Sequence, residues 1–389
     1  MKTNFTPEQK KFRAEVREWL NAHVPRERLP SFDTKEGFEQ HRAWEGALAS
    51  GNWSNVNWPT EYGGRGLDLI SWLIFEEEYY RVDAPLRVSQ NGIFLLAPTI
   101  MEYGSEEQKA RFLPPMASGQ EIWAQAWSEP GAGSDMAAIT TKAVREGDYY
   151  LINGQKTWSS RAVFADWCFG LFRTDGNSKQ HKGLSIILVP LNSPGLTRRP
   201  IMQLDGESGF ADLFFDEVRV PVGNLLGPEH GGWNVAMVTA GFERGLLLRS
   251  PARFQAAAAR LITLYKQHKD RLSLGIGEQV IQAWMNTERF CAATYQLVSR
   301  IQAGASISSE ASANKLFWSE MDRHLHRTAM SIMGAQAEIE GGLDAIDNGR
   351  WLDGYMFSLA GPIYAGTNEV QRNILAERVL GLPRDRAGK

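Results

Sequence analysis

Trp127-Ser128-Glu129-Pro130-Gly131-Ala132-Gly133-Ser134-Asp135 packs a proline and two glycines into four consecutive positions, with Ser128 and Ser134 on either side. Such a segment turns tightly, and its backbone N–H groups can face a ligand. The serines add hydroxyl donors and acceptors. A plain β-turn has the same composition, so the segment taken alone permits both readings. It follows a predicted strand and lies in a stretch of changed texture, from about Glu121 to Val222. Within that stretch Tyr149–Ile152, Cys168–Phe172, Leu184–Val189 and Ala211–Val218 are short β-rich runs, and Asn153-Gly154 reads as a hairpin-type turn after the first.

The flanks are helical in character. Thr6-Pro7-Glu8-Gln9 is a capping box with proline at the first helical position. Phe12, Val16 and Leu20 then recur every four residues, as one buried helix face does. Ser105-Glu106-Glu107-Gln108 opens another helix, which Pro114-Pro115 is expected to stop; Trp58–Gly66 between them is a turn-rich loop. From about Trp233 the pattern is helical again, with breakers at Gly275-Ile276-Gly277, Gly304 and Gly341-Gly342 and a kink expected at Pro251. Helices, then strands, then helices is α+β segregation rather than alternating βαβ. The expected architecture is an N-terminal helical domain over 1–120, a β-barrel-like domain over 121–228 and a C-terminal helical bundle over 229–389.

The chain has 389 residues, of which 43% are hydrophobic and 22% charged, a balance that suits a soluble globular protein of two or three domains at ~150 residues each. A net charge of −3 argues against an electrostatically driven nucleic-acid binder and against a polybasic membrane anchor. No run of ~18 apolar residues suggests a spanning helix. The N-terminal stretch has no apolar core and carries Glu8 and Glu15, unlike a signal or transit peptide, and the last residues are not a peroxisomal address. Cys168 and Cys291 form no metal spacing and no CxxC pair. A cytoplasmic chain with reduced thiols is the expectation.

There is no GxGxxG after a strand, no P-loop, no HExxH and no GxSxG. His324 and His326, two apart on a predicted helix, point to different sides and read as packing or surface residues, so no metal site is expected. The positive signal is the SEPGAGSD string of 128–135 itself. It resembles the flavin-binding loop of the acyl-CoA dehydrogenase family. The resemblance spans essentially the whole chain, through the WPxEYGGxG loop at 58–66, INGQKTWSS at 152–160, FERG at 242–245 and IYAGTNEVQRNILAERVLG at 363–381. It implies FAD as cofactor, an acyl-CoA substrate and an electron-transfer flavoprotein as acceptor. It places Trp127, Ser128, Gly133, Trp158, Ser160, Thr367 and Glu369 at the flavin. It places Ser134, Tyr364, Gly366 and, with less weight, Arg244 toward the substrate. Ser128 and Ser160 stand where the family has Thr; each keeps the hydroxyl and loses a methyl.

The family's reaction removes a proton α to a thioester carbonyl while a hydride leaves the β-carbon. It needs a desolvated, aimed carboxylate. Many members place that Glu just before Gly-Thr, where this chain has Ala365 in Tyr364-Ala365-Gly366-Thr367. A subset supplies it from an upstream helix, before an Arg; Glu243 in Phe242-Glu243-Arg244-Gly245 resembles that place and is the expected base. The neighbour-side FAD motifs are mixed. The RxxFG Arg is kept as Arg271, with Leu274 for Phe, while QxxGGxG becomes Ser331-Ile332-Met333-Gly334-Ala335-Gln336-Ala337. The resemblance therefore leaves two assemblies open, a homotetramer and a hetero-oligomer with a related subunit, the latter often acting on bulky or steroid-derived CoA esters. Two rival functions share the fold: a flavin monooxygenase or oxidase, and a non-catalytic subunit.

Overall fold

The computed structural model describes residues 5–244, 250–305 and 310–384. In chain order its helices and strands are α1 (Pro7–His23), α2 (Lys35–Ser50), α3 (Leu69–Arg81), α4 (Ala97–Tyr103) and α5 (Glu106–Ala117); β1 (Trp123–Ala126), β2 (Lys142–Glu146), β3 (Tyr149–Ser160), β4 (Trp167–Arg173), β5 (Leu184–Pro190), β6 (Leu196–Ile201), β7 (Phe210–Pro221) and β8 (Leu225–Leu226); then α6 (Gly232–Arg244), α7 (Pro251–His268), α8 (Leu274–Gln302), α9 (Glu310–Met333), α10 (Arg350–Ala360) and α11 (Asn368–Ile374). They pack as two compact units. One takes Met1–Ala22, Leu69–Ala84 and Arg244–Lys389, the other His23–Asp68 and Pro85–Glu243.

In the mainly helical unit, α1 buries Phe12, Val16 and Leu20, the four-residue stripe of the sequence. Thr6 and Gln9 close its capping box reciprocally, at 3.0 and 3.2 Å. Its polar side donates Arg13 and Arg17 to Glu78 of α3, which Arg81 also reaches. Burial pushes the Glu78 carboxyl up, but three guanidiniums outweigh that and hold it at about 2. The core of this unit joins α7, α8, α9 and α10 through Leu261, Leu264, Ala283, Leu325, Ile332 and Trp351. Pro251 does not kink a helix: it is the first residue of α7, where its missing N–H costs nothing, and Ser250 caps the turn. Gly275 and Gly277 likewise lie in the first turns of α8 rather than between helices.

The second unit is built on an eight-stranded sheet with the open path β6-β7-β3-β2-β4-β5-β8, and β1 pairs in parallel with β4. Ile152, Ala143, Cys168, Phe172, Ile187 and Leu213 are fully buried in its core, so β4 and β5 read as near-continuous apolar runs. The hairpin between β2 and β3 turns at Gly147-Asp148, because Glu146 pairs with Tyr149. Asn153-Gly154 is therefore not a turn. It lies inside β3, opposite a bulge in β7, where Glu217 is left-handed (φ 51) and donates its N–H to Asn153 Oδ1 at 2.9 Å. Helix α5 has the predicted capping box at Ser105 and Gln108, yet it runs through Pro114-Pro115 to Ala117. Two prolines in the last turn remove two bonds from a helix that is already ending, so they are tolerated. Both cysteines are buried and free.

Among the described residues no helix is long and apolar enough to cross a membrane, and no group of His, Cys, Asp or Glu could hold a metal. His326 is buried against Asp322 at 3.0 Å, a packing role as expected.

Candidate active site

The glycine loop leaves β1 with Trp127 buried and its indole edge against Phe169, centroids 6.0 Å apart. Glu129 and Ala132 exchange backbone hydrogen bonds of 2.9 and 3.0 Å, which closes a tight turn with Pro130-Gly131 at its tip. Gly131 and Gly133 have nothing within 4 Å of where a Cβ would stand, and neither needs a left-handed φ. Neither the backbone nor the chain's own packing thus demands glycine there. Room for another molecule to approach the amides would. Ser134 and Asp135 are exposed beyond the turn, and Ser128 is half-buried.

The loop is fastened to β3. Thr157 donates its N–H to Ser128 O at 2.9 Å. At this point β3 carries an extra residue relative to β7, since Lys156 pairs with Leu213 but Ser159 with Ala211. The surplus is taken up at Trp158, which is left-handed (φ 56) and 59% exposed, with Phe210 edge-on at 6.0 Å. A bulky residue in that region of backbone space is an outlier, and strain of this kind collects at ligand sites. Ser160 follows on the same bulged end, its carbonyl accepting from Asn91 Nδ2 at 3.3 Å. The Nε1 of Trp127 and the Oγ of Ser159 are buried without a hydrogen-bond partner. Open glycines, an indole displayed at a conformational cost and unsatisfied polar atoms fit a surface made for a planar heteroaromatic such as a flavin ring.

The Trp158 backbone gives a testable separation of fold from function. Left-handed geometry costs an L-residue ~1–2 kcal/mol that glycine does not incur. Trp158→Gly is expected to leave the flavin-free chain as stable as before or slightly more so, and to weaken flavin binding about tenfold or more, the aromatic contact being worth ~0.5–1.5 kcal/mol beyond its area. Thermal unfolding of the flavin-free protein and flavin titration read the two effects independently.

The helical unit carries the other predicted segment. Tyr364 stacks on Trp318 (5.9 Å, 29°) and lies against Phe357 (6.0 Å). Ala365 (φ 55) and Gly366 (φ 80) are consecutive left-handed residues, and they reverse the chain into α11. Thr367 caps α11 by accepting from Val370 N at 3.2 Å, so its hydroxyl has a structural duty the sequence reading did not include. Beneath this turn Asn368 is buried, accepts from Lys315 Nζ at 2.8 Å and donates to Glu320 at 2.9 Å. Gln371, fully buried, reaches the carbonyls of Ala365 and Gly366 at 3.4 Å. Glu369 is exposed and pairs loosely with Arg372, 3.6 Å away.

Arg271 is exposed after α7 and bonded to His268 Nδ1 at 2.8 Å. Glu243 and Arg244 end helix α6, but their side chains lie outside the described residues. Sequence reasoning missed the buried Lys156, Lys315, Asn368 and Gln371. For Lys156 a signal existed: it shares strand parity with buried Tyr150 and Ile152, an inward-facing slot where a lysine must have a partner.

The chain matches the N-terminal domain of acyl-CoA dehydrogenase over residues 6–120, the middle domain over 124–218 and the C-terminal domain over 230–380. The acyl-CoA dehydrogenase IpdE1 of Mycolicibacterium smegmatis is 40% identical, over 98% of this chain and 100% of that protein. FadE26 of Mycobacterium tuberculosis is 33% identical, over 99% of each. Among solved structures, the Tcur3481-Tcur3483 steroid ACAD superposes with a TM-score of 0.88 at 29% identity, covering 99% of this chain and 100% of that one. The ChsE4-ChsE5 complex from Mycobacterium tuberculosis does so with a TM-score of 0.83 at 31% identity and the same coverage. With all three domains matched in order along a chain that also displays a flavin-type surface, this protein belongs to the acyl-CoA dehydrogenase family, oxidoreductases that act on acyl-CoA thioesters.

Proposed function

We propose that this chain is the flavin-holding, catalytic subunit of an FAD-dependent acyl-CoA dehydrogenase that introduces an α,β double bond into a bulky, ring-bearing acyl-CoA. The observation that carries the flavin part is the left-handed, exposed Trp158 fastened through Thr157 to the open glycine loop. Trp127, Ser128, Gly133, Trp158 and Ser160, with Thr367 and Glu369, would hold the ring side, and Arg271 would meet the pyrophosphate of a neighbouring subunit's FAD. Ser134, Arg244, Tyr364 and Gly366 would meet the substrate. Bound FAD supplies the acceptor for the hydride that leaves the β-carbon. Glu243 takes the α-proton into its carboxylate, and the electron pair of that C–H bond becomes the new C=C as the β-hydrogen departs with its own pair. The pKa of a thioester α-proton is far above that of a free carboxyl, so Glu243 has to act in a dry, aimed setting.

The ring-bearing substrate and a related second subunit are suggested by the names of the structural relatives, a steroid ACAD and a two-chain complex. An electron-transfer flavoprotein is the acceptor that the family resemblance suggests, and the segments 1–120, 121–228 and 229–389 would act as three domains of one enzyme. Anaerobic titration of the flavin with a panel of CoA thioesters tests the reading. Ring-bearing esters are expected to bleach it, and straight short-chain esters to do so far more slowly. Turnover that consumes oxygen without an added acceptor would replace the dehydrogenase by an oxidase. A flavin that no thioester reduces would leave a non-catalytic subunit.

A further inference from the structure

We propose that the buried ion pair between Lys156 and Glu129 is what sets the glycine loop and Trp158 in their ligand-ready arrangement, which makes both of them positioning residues for the flavin; this rests on the flavin reading above. The two charged groups are 2.8 Å apart, with the Lys156 side chain fully buried and that of Glu129 5% exposed. All three ammonium protons find acceptors: Glu129 Oε1 at 2.8 Å, Trp127 O at 3.2 Å and Leu171 O at 2.6 Å. The carboxylate in turn accepts from Thr140 N (2.7 Å), Thr140 Oγ1 (2.9 Å) and Thr141 N (2.9 Å). Burial pushes that carboxyl up, but the lysine charge and these bonds outweigh it and hold it at about 2, so it stays ionised.

The consequence is topological. Residues 127–129 begin the glycine loop and residues 140–141 end it, and both ends are tied to one carboxylate. Leu171 of β4 anchors the lysine from the sheet. Between the ties, residues 130, 131 and 133–135 are exposed. One residue past Lys156 comes the Thr157 bond to Ser128, and one further comes the left-handed Trp158. A single pair thus fixes the loop that carries Ser128 and the bulge that carries Trp158 relative to each other. Burying two ions costs several kcal/mol each before their attraction returns it, and an apolar pair of similar volume would serve a mere core as well. What the ions add is register: six bonds tie both ends of the loop and the sheet to one another.

The test compares wild type with Glu129→Gln, which is isosteric, and with the charge-free double variant Lys156→Met/Glu129→Gln, each purified with any subunit the chain needs. FAD titration, the shape of the visible flavin band, and near-ultraviolet circular dichroism with thermal unfolding of the flavin-free protein are measured. Both variants are expected to unfold cooperatively, to bind FAD at least about tenfold more weakly, and to shift the flavin band toward that of free FAD. Unchanged FAD affinity and band shape in both would overturn the proposal. So would loss of cooperative unfolding in both, since the pair would then hold the whole sheet rather than the site. A wild-type protein that takes up no FAD, with or without a co-expressed related subunit, would remove the flavin reading first and the proposal with it.

Discussion

Glu243→Gln is expected to leave the protein folded and yellow and to slow flavin bleaching by acyl-CoA by a factor of between about 10² and 10⁴, the range a positioned general base supplies. Glutamine keeps the volume and the hydrogen bonding of the side chain but cannot accept the α-proton. The alternative position in the family is closed: Ala365 has a methyl there, on a left-handed residue in the turn between Tyr364 and Thr367. The turn itself is rigid, because Thr367 caps α11 and Gln371 and Asn368 hold it from beneath. A carboxyl restored at 365 would therefore project from a fixed backbone. Ala365→Glu placed in the Glu243→Gln background is expected to return part of the lost rate with little added backbone cost, since Ala365 already bears the left-handed strain. Stopped-flow reduction of the flavin under anaerobic conditions measures both. Normal bleaching in the single variant would take Glu243 out of the mechanism.

The parts of this molecule legible in the sequence are those set by neighbours in the chain. The capping boxes at Thr6 and Ser105, the stripe of Phe12, Val16 and Leu20, and the apolar strands β4 and β5 depend on spacing of four residues or fewer, and they formed where expected. What was not legible depends on register. Asn153-Gly154 and Gly147-Asp148 are both glycine-bearing pairs able to take a positive φ, and only the pairing of Glu146 with Tyr149 decides which one turns. In the sequence Pro251 follows residues of helical pattern and so predicts a kink, whereas a proline at a first helical position looks the same locally. The site divides in the same way. Trp127, Ser128 and Trp158 are candidates that the family motif supplies, and in the structure the Thr157 bond to Ser128 fastens their two segments to each other. Asn368 is not legible because an asparagine becomes informative only once its burial is known, whereas the one sign of Lys156 is its strand parity with Tyr150 and Ile152.

Expressed alone, the chain is expected to hold FAD well below one per chain, and co-expressed with a related subunit to hold one FAD per pair of unlike chains. The reasoning starts at the end of α9. In a phosphate-binding glycine run the backbone must stay bare, and two of the positions where the family has glycine are Ala335 and Ala337 here. They do not carry equal weight. Ala337 is 5% exposed and its methyl is part of the core formed with Ala257, Leu261 and Met333, so this position has been given over to packing. Ala335 is exposed, next to left-handed Gly334, and carries a methyl where the family motif has a bare backbone. Arg271 remains, exposed and, among the described residues, bonded to His268, but one guanidinium is less of a clamp than a guanidinium joined by a bare glycine run. The loop at 128–135 and Trp158 show no such erosion, so the ring-side motif is kept while the motif that resembles a neighbour-side clamp is altered. Flavin content per chain, measured by absorbance after gel filtration of the two preparations, decides it. Full occupancy in an active assembly of this chain alone would mean that Ala335 and Ala337 are tolerated drift and that the enzyme is a homo-oligomer.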